Sequence, residues 1–549
     1  MRRRWVGAGV LLLALGTGAR AAEWVTTEAI KPDPKPSVLV PAARLSAAEL
    51  EALHTRYFEN RERTAAGANN HPPSPPGLPA PYSEPTAIVG ATPEFHGNPD
   101  DFEIGRNVQN PFANGAGEST VAEPTAINDG AHLYYTGNWH QEYSDDGGTT
   151  WTSVAFPSGP SDAPNFCCDQ DTVYDQGRGV TFHTYLYINT SATNGVVTTA
   201  IRRNVDSADN CTYTWDPGGS ADNILPDYPH LGVSGKYLYM TANLIQNGTT
   251  WVRSVVRRIN IDQMADCTTA GVTTWSYSSG GTGQRVFVPA EGLGQRDRMY
   301  WALLENSTQI RVYRWLESAS APTNYLRSIS SSSFTDSDCR GGTNNTDWIE
   351  SSTSYSITGF RVRGALGWHS YAGSLIGFWW NVGHDNTHAE QAHIHFATFT
   401  EPSITLASQG ALYNAESCFG YPAVAANERG DFGVSLAIGG AAGGGGQAVQ
   451  GYVGISDEYS GPGSPGRLGT VYIVASGTHN PPNTGSAANR WGDYFTVRPQ
   501  EPCDLFFAAT NYALDGGSAA SNVNARYVEF GRGRDQKCYN GWRDAVRTP

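Results

Sequence analysis

The residues of this chain with the most chemistry to offer recur at the start of β-like segments. Asp169 and Asp171 lie in the run Asp169-Gln170-Asp171-Thr172-Val173-Tyr174-Asp175, Asp227 and His230 in Asp227-Tyr228-Pro229-His230-Leu231-Gly232, Arg363 in Arg363-Gly364-Ala365-Leu366, and Arg490, Asp493 and Tyr494 in Arg490-Trp491-Gly492-Asp493-Tyr494. Carboxylates, guanidinium groups, an imidazole and a phenol in matching positions suit sugar chemistry. Glycoside hydrolysis needs an acid for the leaving oxygen and a base or nucleophile on the other side of the bond. Cleavage of a uronate by elimination needs a base such as His or Tyr beside a carboxylate neutralised by Arg. The catalytic candidates are therefore Asp171, Asp227, His230, Asp493 and Tyr494, with Arg363 and Arg490 as substrate-binding candidates. The competing structural reading is that the aspartates cap turns and that Arg490 pairs with Asp493.

A second group is His384, His388, His393 and His395, four of the 13 histidines within twelve residues. On a strand His393 and His395 share a face, so they could bind a divalent metal with His384 or His388 closing from the preceding loop. The alternative is a polar loop followed by an ordinary strand. A structural divalent metal is the one cofactor this pattern raises; no other is implied.

The elements that must carry these groups are β-strands. Short Val, Ile, Tyr, Thr and Trp runs punctuated by Gly, Asn and Asp recur through 549 residues containing 62 Gly and 32 Pro, and helical periodicity is missing from most of the chain. Aromatic runs such as Trp379-Trp380 and Tyr134-Tyr135 read as core, or as shelves for sugar rings. The formal net charge is −15, which argues against a nucleic-acid partner. Lys31, Lys35, Lys236 and Lys537 are the only lysines, so most cations are arginines, suited to bidentate binding of carboxylates or sulfates.

Residues 1–21 read as a signal peptide: Arg2, Arg3 and Arg4, an apolar run through Leu15, and Ala19-Arg20-Ala21 as the cleavage site. No later apolar run is long enough to span a bilayer, so a secreted or periplasmic protein is expected. Residues 22–85 form an extension with one helix, Leu45 to Thr64, opened by a Ser46/Glu49 capping box, and a Pro-rich linker. Eight cysteines in an exported chain imply disulfides, and on a regular strand Cys167 and Cys168 diverge toward different partners.

Residues 86–549 repeat the opening described above, with others at Glu123-Pro124-Thr125-Ala126, near Val288-Pro289-Ala290, and at Gly420-Tyr421-Pro422-Ala423-Val424. About seven units of about 50–75 residues, each a small sheet, imply a radial β-propeller, six blades being the nearest alternative count. A sandwich or a β-helix explains so many irregular units less well.

Ser144-Asp145-Asp146-Gly147-Gly148-Thr149-Thr150-Trp151 fits S-x-D-x-G-x-T-W at every defined position. It resembles the Asp box of sialidase-like (BNR-repeat) propellers. Physically it is a hairpin turn in which the Asp146 carboxylate accepts backbone N–H bonds across the turn, Gly148 takes positive φ, and Trp151 packs into the sheet. Weaker echoes run from Ser207 to Trp215, from Asp266 to Trp275 and from Asp338 to Trp348; a cysteine near each turn points to turns stapled by disulfides. Phe419 to Val424 with Asn427 to Asp431, and Arg490 to Tyr494, are similar to phrases of secreted bacterial propellers of this group. The resemblance implies an all-β, sialidase-like propeller acting on extracellular glycans, as a glycoside hydrolase or polysaccharide lyase. A lectin-like binding propeller and a protein-interaction scaffold are the alternatives. Two departures set sialidase activity apart from the fold: no F/Y-R-I-P motif precedes Ser144, and one Asp box is intact.

Overall fold

The computed structural model describes residues 22–34, 86–88, 102–110, 121–130, 132–218, 222–278, 287–291, 297–330, 339–349, 357–362, 375–383, 391–414, 416–427, 430–441, 444–456, 468–481, 491–492, 495–501, 504–516 and 523–536. The expected signal peptide, the helix from Leu45 to Thr64 and the Pro-rich linker lie outside them.

Seven antiparallel meanders follow one another and close into an all-β, seven-bladed propeller. Blade 1 runs from the inner strand Thr125–Asn128 to Thr152–Ser153, blade 2 from Asn165–Asp175 to Cys211–Trp215, and blade 3 from Ile224–Val233 to Ala270–Ser278. In blade 4 the segment 287–291 takes the inner position, its Ala290 N–H bonded to the Tyr300 carbonyl, beside Arg298–Asn306, Gln309–Leu316 and Thr323–Ser328. Blades 5 and 6 begin at Ile357–Val362 and Cys418–Ala426. Blade 7 begins at Val497–Pro499, and its outermost strand is the early segment Phe102–Gln109, paired with Val523–Arg532. That pairing closes the ring with residues from both ends of the domain.

Part of the segment assigned to an extension is built into the propeller. Ala22–Ile30 adds a fifth strand to blade 3 against Ala270–Ser278, and Thr86–Ile88 adds a parallel fifth strand to blade 6.

Because blades stack face to face, both faces of a sheet are buried, and strands such as Val180–Ile188 are buried at every position. The wedges between blades are filled by rings. Between blades 3 and 4, Trp275 packs against Trp301 and Tyr313, and Trp301 stacks on Tyr313 at 5.5 Å between centroids.

The repeat openings are a structural device. The inner strands of blades 2, 3 and 6 lose register at equivalent places, between Cys168 and Asp171, Asp227 and His230, and Gly420 and Ala423. Each bulge starts on a left-handed residue, Asp169 (φ 44°), Tyr228 (φ 57°) or Tyr421 (φ 54°), and Glu123 (φ 43°) precedes Thr125 in the same way. Neighbouring blades hold these residues: Asn138 Oδ1 accepts from Asp169 N at 3.0 Å, Asp169 Oδ2 from Tyr228 N at 3.1 Å, and Asn381 Oδ1 from Tyr421 N at 2.9 Å.

Two disulfide expectations are corrected. Cys167 and Cys168 are bonded to each other, because the register shift between Phe166 and Cys168 breaks the pleat that would have pointed their side chains apart. Cys211–Cys267 and Cys339–Cys418 join segments 56 and 79 residues apart, the first linking blade 2 to blade 3, so neither closes a single turn. Cys503 and Cys538 lie outside the described residues.

The Ser144–Trp151 turn joins the third and fourth strands of blade 1. Asp146 Oδ1 accepts from Thr150 N at 2.8 Å and Ser144 Oγ at 2.9 Å, Asp146 Oδ2 accepts from Thr150 Oγ1 at 2.8 Å, and Ser144 Oγ accepts from Gly148 N at 2.7 Å. These bonds outweigh the effect of partial burial and hold the Asp146 carboxyl below its usual range. Gly148 has φ 84°, and an added Cβ there would meet the Val108 side chain at 2.8 Å. Trp151 meets Tyr135 edge to face.

Candidate active site

Inner strands leave one edge unpaired toward the ring axis, so groups bonded to that edge lie in the central channel. Asp171 is such a group. Its Oδ2 accepts the Leu231 N–H of blade 3 at 2.7 Å, and its Oδ1 accepts from Thr172 N at 2.8 Å and from Thr125 Oγ1 of blade 1 at 3.2 Å. Arg498 reaches it from blade 7, with Nη2 2.7 Å from Asp171 Oδ1. The same Nη2 is 3.5 Å from Glu291 Oε1 of blade 4, and His230 Nδ1 of blade 3 is 3.7 Å from Asp171 Oδ2. Five blades meet at this cluster. Blades 4 and 7 stand on opposite sides of a seven-membered ring, so the guanidinium that touches both must sit near the axis.

The two carboxyls are driven apart in proton affinity. Burial alone would raise Asp171, but Arg498, His230 and the Leu231 amide outweigh it and hold the group below the usual carboxylate range. Burial of Glu291, with the Asp171 charge adding to it against the weaker pull of Arg498, pushes its carboxyl up to about 7. The Glu291 side chain remains 21% exposed against 2% for Asp171, so the weaker acid is the one that reaches solvent.

The bulge presenting Asp171 is fixed from behind. The Gln170 amide donates to the carbonyls of Gly137 and His140, and Gln170 Oε1 lies 2.8 Å from His183 Nε2. His183 Nδ1 in turn faces Arg202 Nη1 at 2.9 Å, and Arg202 Nε pairs with Asp209 at 2.8 Å. Burial, reinforced by Arg202, keeps the His183 imidazole neutral, with Nε2 carrying the proton toward Gln170.

Of the sequence candidates, the structure brings Asp171 and His230 together. Asp227 is buried on the other side of the blade 3 bulge, in register with Asn243, and is not among the described partners of Asp171. Arg363, Arg490, Asp493 and Tyr494, with His384 and His388, lie outside the described residues. His393 and His395 are buried with their Nε2 atoms 3.0 Å apart, and His393 Nδ1 faces the Gln391 carbonyl at 3.1 Å. Among the described residues no group of three His, Cys, Asp or Glu side chains is placed to hold a metal.

Sequence reasoning missed Glu291, Arg498 and Thr125. Glu291 directly follows the Val288-Pro289-Ala290 opening, and the kinship of that opening with Glu123-Pro124-Thr125 and Tyr228-Pro229-His230 was a usable signal. Arg498 stands four residues beyond Tyr494, inside the short inner strand of blade 7, and no local pattern marks it.

No family model matches the sequence, and no curated protein matches it. Among solved structures, the chain is similar to an α-L-arabinanase of Penicillium chrysogenum complexed with arabinobiose (9% identity, TM-score 0.35, 79% of this chain and 99% of that one). It is also similar to the NanB sialidase of Streptococcus pneumoniae (10% identity, TM-score 0.33, 80% and 71%) and to the extracellular domains 1-2 of Drosophila Semaphorin 1a (10% identity, TM-score 0.37, 76% and 87%). At such identities the chemistry of the channel is set by this chain's own residues.

Proposed function

We propose that this protein is a secreted propeller that hydrolyses glycosidic bonds of extracellular glycans, with Glu291 as the proton donor. The observation that carries this reading is the shared contact of Asp171 and Glu291 with one Arg498 nitrogen, where burial and unequal pairing drive their proton affinities apart. A lectin or a scaffold has no need of a solvent-reaching carboxyl that keeps its proton to about pH 7 beside an ionised partner. Sharing Nη2 at 2.7 and 3.5 Å, the two carboxylate oxygens stand no more than about 6 Å apart, closer than the ~6.5–9.5 Å at which two carboxyls leave room for the attacking water between them, so the base for that water lies outside the pair.

In this scheme Glu291 protonates the departing oxygen. Asp171, with both oxygens occupied by donors, is an electrostatic partner to the positive charge that develops on the sugar ring rather than a nucleophile. In this scheme His230, its Nδ1 turned toward Asp171 at 3.7 Å, is the group assigned to take the proton of the attacking water. Among the described residues no helix is long and apolar enough to cross a membrane, and the three described disulfides suit an oxidising compartment.

The test is a glycan screen of wild type and Glu291→Gln in parallel, reading reducing ends, free sialic acid, unsaturated uronates by ultraviolet absorbance, and binding. Turnover by the wild type that the variant loses supports the assignment. Binding without turnover by the wild type would put the lectin-like reading first.

A further inference from the structure

We infer that the channel takes an uncharged glycoside and excludes sugars carrying a carboxylate or sulfate. This rests on the hydrolase reading above and names its substrate class. The described guanidinium of the cluster is already committed: Arg498 Nη2 donates to Asp171 Oδ1 and faces Glu291 Oε1, and Nη1 lies 3.5 Å from Thr125 Oγ1. An arriving sugar carboxylate would have to displace Asp171 from Arg498 or share the guanidinium with it, and either way would stand beside the Asp171 anion in a site where water screens poorly. A neutral ring carries no such cost.

The charge balance along the reaction points the same way. When the glycosidic C–O bond breaks, the Glu291 proton goes to the leaving oxygen, water adds to the anomeric carbon and its proton passes to the base. At the oxocarbenium stage, before the water has lost its proton, Glu291 and Asp171 are both anions against the Arg498 cation, so the cluster is net negative as the sugar becomes positive. Elimination from a uronate would instead build negative charge on the sugar, which this cluster opposes. The chain as a whole, at −15, also disfavours the approach of polyanions.

Among the described residues, the groups facing Glu291 are Arg498 from blade 7 and Asp171 from blade 2, with His230 of blade 3 behind Asp171. Binding of a cation in place of the developing positive charge must therefore strengthen as Glu291 ionises.

The experiment is isothermal titration of the full chain, at about one pH unit below and one above neutrality, which brackets the Glu291 titration. The probes are quaternised iminosugars, whose charge does not titrate, the matching neutral monosaccharides, N-acetylneuraminate and glucuronate. We expect an iminosugar to bind about fivefold more tightly at the higher pH, the change that a one-unit linked shift of a group titrating near 7 produces across that window, and the Glu291→Gln variant to lose that dependence. Glu291→Gln is nearly isosteric, and the pH dependence of the wild type is a second readout that needs no variant. Competitive binding of N-acetylneuraminate or glucuronate at the iminosugar site would overturn the inference while leaving a glycan site in the channel. Binding of no sugar of any class would overturn the hydrolase reading itself.

Discussion

Asp171 and Glu291 face each other through one nitrogen of Arg498, at 2.7 Å on the Asp171 side and 3.5 Å on the Glu291 side. Burial raises both carboxyls, and the donors set against it decide which one is charged. Asp171 takes the shorter ion pair and adds the Leu231 and Thr172 amides, whereas Glu291 keeps the longer contact and meets the field of Asp171. Burial, opposed strongly at Asp171 and weakly at Glu291, thus sorts two similar acids into an anion and a proton donor.

The rate should follow that sorting. With Glu291 as acid, activity falls on the alkaline side as the group ionises near pH 7, the value to which burial and Asp171 push it. Glu291→Gln should lower kcat by about 10²–10⁴-fold, the usual worth of general acid catalysis, and remove that alkaline limb. A pH–rate profile of both proteins on one substrate checks it, and an unchanged limb in the variant would assign the acid elsewhere.

Stability should carry the same signature with a definite sign. The folded chain holds the Glu291 proton more tightly than the unfolded chain, so the contribution is fully present below the unfolded value of about 4.5 and is lost as pH rises through about 7. A shift of that size corresponds to roughly 3 kcal/mol. Asp171, depressed in the folded state, acts oppositely and loses its contribution only as pH falls into the acid range. Urea midpoints from weakly acid to weakly alkaline buffer should decline in the wild type and flatten in Glu291→Gln.

Removing the shared cation should cost more than removing either acid. Arg498→Met leaves Asp171 buried without its ion pair, a loss of about 3–5 kcal/mol for a buried pair broken on one side. Adding Asp171→Asn should recover much of it, because the stranded charge goes with it. A double-mutant cycle by denaturant unfolding reads the coupling.

The fold was legible because its signals are local. Strand runs, turn residues and the Ser144–Trp151 turn each act within a few residues, and the openings that mark the repeats are the bulges that set Asp171 and His230 on the channel. The cluster itself was only half legible. Asp171 and His230 sit inside recognisable openings, but Arg498 joins them by crossing the ring, a relation 327 residues long in sequence that no spacing encodes. Cys167 and Cys168 misled for a related reason: the expected divergence of neighbours holds on a regular pleat, and their strand is irregular at that point. Glu28, read as part of an extension, has its meaning only against Arg257 of blade 3.

The Ser144–Trp151 turn should prove structural. Asp146→Ala removes bonds to the Thr150 amide and hydroxyl and to Ser144 at an exposed hairpin, so a loss of about 1 kcal/mol is expected, as for a polar cap. The turn joins outer strands, away from the inner-strand cluster, so kcat and KM should stay at wild-type values. Thermal melts beside the kinetic assay separate the two.

Ala22–Ile30 should matter more than an edge strand usually does. Arg257 is 1% exposed, lies over the Trp215 ring at 4.4 Å, and donates from Nη2 to Glu28 Oε1 at 2.6 Å. Burial lowers its guanidinium and Glu28 pushes it back, so the strand brings the anion that the blade 3 interior lacks. Because Glu28 is half exposed, Glu28→Gln should cost only about 1–2 kcal/mol, and Arg257→Met should offset part of that. Deleting residues 22–30 should cost more, since it also uncovers the edge of Ala270–Ser278, and light scattering should detect self-association of the shortened chain. A synthetic peptide of residues 22–30 added in trans should restore the melting temperature, whereas the same peptide with Glu28→Gln should restore it less; equal rescue by both peptides would show that strand pairing alone, without the Arg257 ion pair, holds this edge.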